Sequence, residues 1–308
     1  MQQLNAELLN KFISDLYSTA DIRDITIDNG LEYFYNFIRT TKTNATLGYY
    51  HSHCGDIFDF MKEHEHLDTM CKIKTQNIMN YINARSYLNN STVNKRTKAL
   101  RYVIKLLAKN KIIPLLDLEP CLLKETVKQI EVCPKSQLDE IEEYLTSMKP
   151  QVRLTFELLA TTGIRLNELL HIERANIDYT EKSIYLTQTK NGNPRYCFLT
   201  DDVVNLIKLY LSEAPESQYL LCRDNGEIQT ESFVHCIFKR IKKRLNIEKL
   251  NPHKLRHTYA TNLIESGVDF ETTRLLMGHS SYSILKRYIH IKNKKLREAS
   301  LRFNPLTK

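Results

Sequence analysis

The chain has 308 residues, room for two domains each with its own core; a single domain of this size would be unusual. Eight glycines, eight prolines and no tryptophan, set among abundant Leu, Ile, Lys and Glu, favour a mainly helical protein. The formal net charge of +8 comes without any apolar run near the roughly 18 residues of a membrane span and without a secretory signal layout in "MQQLNAELLNKFISDL", which excludes membrane insertion and export as readings.

In chain order, residues 1–27 form an N-terminal extension with a short helix expected at 4–17. Four helical patterns follow, at 31–39, 45–63, 75–87 and 91–110. In the fourth, Val93, Leu100, Val103, Ile104, Leu106 and Leu107 make an apolar stripe. The stretch 91–111 carries seven Lys or Arg and no acid. Residues 28–117 therefore read as a helical domain with one face packed and a basic face turned outward. The segment "HSHCGDIFDFMKEHEH" gathers His51, His53, Cys54, His64 and His66 but meets no familiar ligand spacing, so no metal is expected there.

Residues 118–134 hold Pro120 and Pro134, with Pro114 just before them, and mark a linker. Beyond it, Ser136 with Asp139 resembles a capping box opening a helix at about 137–147. A second helix is expected from Gln151 to Thr162, stopped by Gly163. The period then changes. Ile184 and Leu186 alternate with polar residues, Asn191-Gly192 signals a tight turn, and 196–199 returns, so a hairpin with Lys190 at its tip is expected. Helical patterns follow at about 201–213, 231–245, 252–266, 270–277, 281–290 and 293–301, with Gly267 and Gly278 as breaks.

Charge is unevenly spread: 15 basic against 12 acidic side chains in 1–117, 12 against 19 in 118–233, and 17 against 5 in 234–308. Two basic blocks around an acidic middle point to a polyanion, because each neutralised phosphate releases counterions, with an anionic membrane surface as the other reading. The candidate phosphate contacts are Lys95, Arg96, Lys98 and Arg101 in the first block, and Lys239, Arg240, Lys242 and Lys243 in "FKRIKKRL". Seven scattered cysteines without a CxxC pair read as free thiols of a reducing, cytoplasmic setting.

The chemistry-bearing residues gather late. "HKLRHTYA" puts His253 beside Arg256 and His257 on one helical face, and "GHSSYSILKRY" adds His279 and Tyr288. With Arg165 of "TGIRLNELL" and Lys190 of the hairpin they make five donors and one nucleophile. Guanidiniums donate two parallel bonds and suit a phosphodiester whose nonbridging oxygens gain charge during attack. A phenol becomes a usable nucleophile where cations favour phenolate or a neighbour such as His253 accepts its proton. A lysine can protonate a leaving oxygen. Glu168, at i+3 from Arg165, also offers that arginine an ordinary ion pair within its helix. His257 reads as structural.

In these elements, in their order, and in the intervals of 23 residues from Arg256 to His279 and nine from His279 to Tyr288, the chain resembles the tyrosine recombinase family, also called phage integrases. The resemblance is specific over about 133–308 and looser over 28–117. It implies a two-domain architecture, mainly helical with a small hairpin or sheet: a core-type DNA-binding domain at 28–117 and a mostly helical catalytic domain at 135–308. It also implies a double-stranded DNA partner gripped as in a clamp, a homotetramer on two sites, and a covalent 3′-phosphotyrosine that conserves bond energy, so that no cofactor is required. Residues 1–27 are too short for the arm-binding domain of some relatives, and 293–308 is expected to pack on a neighbouring protomer. DNA relaxation by the same chemistry, as in type IB topoisomerases, and DNA binding without catalysis are the alternatives.

Overall fold

The computed structural model describes residues 25–116, 118, 121–125, 131–187 and 194–278. The expected helices at 4–17, 281–290 and 293–301, and the hairpin tip at Lys190, lie outside them. The chain divides into two compact units, Met1–Thr126 and Val127–Lys308. The division falls inside the segment expected to be a linker.

In the first unit, α1 (Ile27–Thr41), α2 (Asn44–Glu63), α3 (Thr75–Ala84) and α4 (Asn90–Lys109) pack around one core. The starts are set locally: Thr26, Thr43 and Asn89 each accept a first-turn backbone N–H on the side chain. Helix α4 buries Val93, Leu100, Val103, Ile104 and Leu107, while Lys95, Lys98, Lys105 and Lys109 stay exposed. The amphipathic reading of this stretch therefore carries over to the fold. Arg96 behaves differently from its neighbours. It joins Arg85 and the Tyr81 hydroxyl on the Asp56 carboxylate, tying α4 and α3 to α2. Residues 121–125 come back onto α4, where the buried Asn94 pairs with both the N–H and the C=O of Leu123.

The histidine-rich stretch is part of α2. His51 stacks on Tyr35 with ring centres 3.9 Å apart, and His53 stacks on Tyr49 at 4.2 Å. Among the described residues, no three His, Cys, Asp or Glu side chains converge to hold a metal, and no helix is long and apolar enough to cross a membrane. All seven cysteines are free thiols.

The second unit is built on α5 (Lys135–Thr146), α6 (Pro150–Thr162), the short α7 (Leu166–Leu170), β1 (Ile177–Asp178), β2 (Ser183–Leu186), β3 (Arg195–Phe198), α8 (Asp201–Glu213), α9 (Glu231–Arg244), α10 (Pro252–Glu265) and α11 (Phe270–Met277). Helix α6 is central: it packs on α8 and α10 through a core that includes Leu154, Leu158, Ile207 and Leu255. The expected capping box does not form. Helix α5 starts at Lys135 behind Pro134 and has no side-chain cap, because the fixed φ of the proline sets the entry and leaves Ser136 already inside the first turn.

The expected hairpin is part of a three-stranded antiparallel sheet ordered β1-β2-β3, with Ile184 opposite Cys197 and Leu186 opposite Arg195. Two-residue β1 is too short to show a period, which is why it escaped the sequence reading. Ile184, Leu186, Arg195 and Cys197 are buried, and Tyr185, Tyr196 and Phe198 are exposed. The buried face thus contains one charged side chain.

Gly163 ends α6 in the left-handed conformation, φ 60°, as expected from the sequence. Tyr259 of α10 lies so close that an added Cβ would stand 2.4 Å from its ring. Gly163→Ala, strained in its backbone and crowded by α10, should lower stability by about 2 kcal/mol or more. Urea unfolding of the full chain measures it.

Candidate active site

Two glycine-ended helices, α6 and α11, deliver the site. Two residues after Gly163, Arg165 opens α7 with extended backbone, and Glu168 one turn later accepts the Arg165 backbone N–H at 3.0 Å on Oε2. The i+3 ion pair that the sequence offered as the ordinary alternative is present: Arg165 Nη1 donates to Glu168 Oε1 at 2.7 Å. Being paired does not remove Arg165 from the site, because its Nη2 reaches across 113 positions to donate to the Gly278 carbonyl at 2.9 Å.

Arg256 projects from the second turn of α10 and is buried. Its Nη1 donates to the Gly163 carbonyl and its Nη2 to the Met277 carbonyl. A third arginine, Arg195 on the inner face of β3, donates from Nε to the Leu276 carbonyl at 3.1 Å and from Nη2 to Glu168 Oε2 at 2.8 Å. Three consecutive carbonyls, those of Leu276, Met277 and Gly278, are thus each held by a different arginine. They end helix α11, where carbonyls lack intrahelical partners and the helix dipole is negative, so cations are favoured there.

Glu168 is the acid that Arg165 and Arg195 share. Burial pushes its carboxyl up, but hydrogen bonds and charge from Arg195 and Arg165 outweigh that and bring it down to about 2. Two guanidiniums on this one carboxylate, with Arg256 on the neighbouring carbonyls, leave the cluster positive. The Cys197 thiol beneath it is pushed up to about 11 by burial, against the opposing pull of Arg195 and Arg256, and so stays protonated near neutral pH. A preorganised, largely dry cationic cluster of this kind binds an oxyanion more strongly than the same groups would in water.

Of the residues expected at the site, Arg165 and Arg256 come together here. His253 stands exposed in the first turn of α10, one turn before Arg256, and His257 is half-buried on the same helix. Lys190, His279 and Tyr288 lie outside the described residues; Gly278, whose carbonyl Arg165 holds, precedes His279 in the chain. Lys239, Arg240 and Lys243 are exposed on α9, and Lys242 is half-buried. Arg101 on α4 is half-buried. Sequence reasoning missed Arg195. Its signal was available: it shares the pleat face of Cys197, so a charge falls where the strand faces the core.

Glu168 yields a stability prediction. Its folded pKa is depressed from 4.5 to about 2, so its contribution is present above about 4.5 and is lost as pH falls toward 2. Glu168→Gln should cost on the order of 3 kcal/mol at pH 7. In urea unfolding, the gap to the parent protein should shrink by more than half at pH 3.

Comparison with known proteins places the chain in a family. The profile of the phage integrase family matches residues 131–295. Tyrosine recombinase XerC of Staphylococcus aureus is 29% identical over 269 residues, covering 82% of this chain and 88% of that one. XerC of Staphylococcus saprophyticus is 33% identical over 162 residues, 51% of this chain and 54% of its own. Among solved structures, the Tn1549 transposon integrase with a circular intermediate DNA shares the fold at a TM-score of 0.71 and 15% identity, covering 89% of this chain and 99% of that one. XerH recombinase bound to palindromic difH substrate does so at 0.69 and 17%, covering 95% and 94%. A lambda integrase dimer on a core site gives 0.68 and 17%, covering 84% and 97%. The chain belongs to the phage integrase family of tyrosine recombinases and is, at the level of that family, a DNA recombinase.

Proposed function

We propose that the protein cuts and rejoins duplex DNA at specific sites through a covalent 3′-phosphotyrosine intermediate, in the service of a mobile element or replicon. The observation that carries this reading is the meeting of Arg165 and Arg256, 91 positions apart, on the adjacent carbonyls of Gly278 and Met277. Each guanidinium carries its N–H donors in a planar fork, the geometry that suits phosphate oxygens.

In the reaction, the Tyr288 oxygen attacks the scissile phosphorus as the bond to the 5′ oxygen breaks. Arg165 and Arg256 balance the charge that builds on the nonbridging oxygens. His253 accepts the phenol proton, Lys190 delivers a proton to the departing 5′ oxygen, and His279 donates to the phosphate. The new phosphotyrosine conserves the bond energy, and a 5′ hydroxyl attacking it completes religation. Exposed Lys95 and Lys98, with Arg101, on α4, and Lys239, Arg240, Lys242 and Lys243 on α9, contact the backbone; Arg96, drawn to Asp56, contributes less. Four copies on two sites complete strand exchange. Residues 28–117 act as the core-type DNA-binding domain, 118–134 as the connection and 135–308 as the catalytic domain, in a reducing cytoplasm.

The test is covalent capture. Full-length protein is incubated with a library of nicked duplexes carrying randomised sequence, and DNA that becomes bound under denaturing conditions is sequenced. A defined motif should emerge, and Tyr288→Phe should recover none. Arg256→Lys should slow adduct formation by about 100-fold or more, since one preorganised donor set on a developing oxyanion is worth roughly 10²–10³. Failure of the parent protein to form any adduct would leave DNA binding without catalysis. Efficient plasmid relaxation with no exchange between two captured sites would favour the topoisomerase-like reading.

The basic face on α9 adds a second expectation. Lys239→Gln with Lys243→Gln should reduce the slope of log binding constant against log salt by about 2, near 0.9 for each phosphate that is no longer neutralised. Titration of the captured duplex at several salt concentrations measures it, with the recovered motif unchanged.

A further inference from the structure

The inner face of β3 holds a side chain that packing alone does not explain. Arg195 stands opposite Leu186 and on the same face as Cys197, where an aliphatic residue would bury at no electrostatic cost. Burying a guanidinium is expensive unless every donor is used, yet Arg195 Nη1 has no hydrogen-bond partner among the described residues. The contacts it does make go to two groups that also hold Arg165. One is Glu168, whose two oxygens are divided between Arg165 Nη1 and Arg195 Nη2. The other is the end of α11, where Arg195 takes the Leu276 carbonyl and Arg165 the Gly278 carbonyl.

We propose that Arg195 is a positioning residue for strand cleavage, which neutralises Glu168 so that Arg165 keeps its charge for the phosphate, and which locks the turn at 276–278 against the arginine pair. The proposal rests on the functional reading above and deepens it. A carboxylate is the best available group for aiming a guanidinium, but a lone Glu168–Arg165 pair is neutral and its field falls off quickly with distance. A second guanidinium on the same carboxylate restores one net positive charge without releasing Arg165 from its orienting bond. Two constraints fix Gly278, and Arg195 accounts for the second. The position has φ 60°, and an added Cβ would stand 2.9 Å from both Cδ and Nη1 of Arg195. The guanidinium passes through the space a side chain would fill.

The experiment uses the duplex recovered by covalent capture and full-length variants Arg195→Gln, Arg195→Lys, Glu168→Gln and the double variant Arg195→Gln/Glu168→Gln. Duplex affinity and single-turnover adduct formation are measured separately. Arg195→Gln should bind within about twofold of the parent and cleave about 10- to 100-fold more slowly. Arg195→Lys, which keeps the charge and loses the fork, should fall between them. Because the uncompensated carboxylate is the cause of the loss, the double variant should cleave faster than Arg195→Gln alone, a coupling that additive structural damage does not produce. If Arg195→Gln does not fold, Arg195→Met, which also removes the charge, and Arg195→Met/Glu168→Gln carry the same comparison. Unimpaired cleavage by the single variants, a loss confined to affinity, or strictly additive effects would each overturn the assignment. Absence of any adduct with the parent protein would instead remove the functional reading on which it stands.

Discussion

The C-terminus of helix α11 organises the second unit. A helix end exposes carbonyls that must find donors, and here the last three residues, Leu276, Met277 and Gly278, find them on arginines from β3, α10 and the start of α7. Each guanidinium is long, planar and multiply donating, so one side chain can serve more than one acceptor. The same bonds that terminate the helix therefore hold the arginines in place, and little reorganisation remains to be done when an anion arrives. Structure and chemistry use one set of contacts.

Clustering like charges in a dry site needs compensation, and Glu168 supplies it in a limited way. Its position one turn after Arg165 lets it cap α7 through the backbone and pair through the side chain at once. Two guanidiniums hold its carboxyl at about 2 despite burial, so it remains an anion at any working pH. The cluster is thereby kept both ordered and positive. A phosphodiester is the natural complement of such a site, and a phenol nearby would be drawn toward its ionised form.

The first unit shows how the same residue types serve different ends. Lys95 and Lys98 face solvent, whereas Arg96 between them is drawn onto Asp56 with Arg85 and Tyr81. Pairing in this half-buried ion cluster makes Arg96 a strut between helices. A basic run in sequence therefore overstates the charge available to a ligand, because a planar guanidinium within reach of a half-buried carboxylate pairs with it, while lysines on the far face have no such option.

Much was legible in the sequence because it depends on neighbours in the chain. The stripe of α4, the ends of α6 and α11 at Gly163 and Gly278, the helix bearing His253 and Arg256, and the strands flanking Lys190 all follow from short-range period and backbone preference. The motif that brought Arg165 and Arg256 to notice came from the resemblance to the tyrosine recombinase family. Strand β1 was too short to have a period, and Pro134 displaced the cap expected at Ser136. Arg195 stayed unread because its meaning lies in contacts 27 and 81 positions away, with Glu168 and Leu276. Local chemistry chose the residues. Only the packing of α6, α10, α11 and β3 decided which carbonyl each arginine holds, since such bonds are set by where helix ends meet and no periodicity records that.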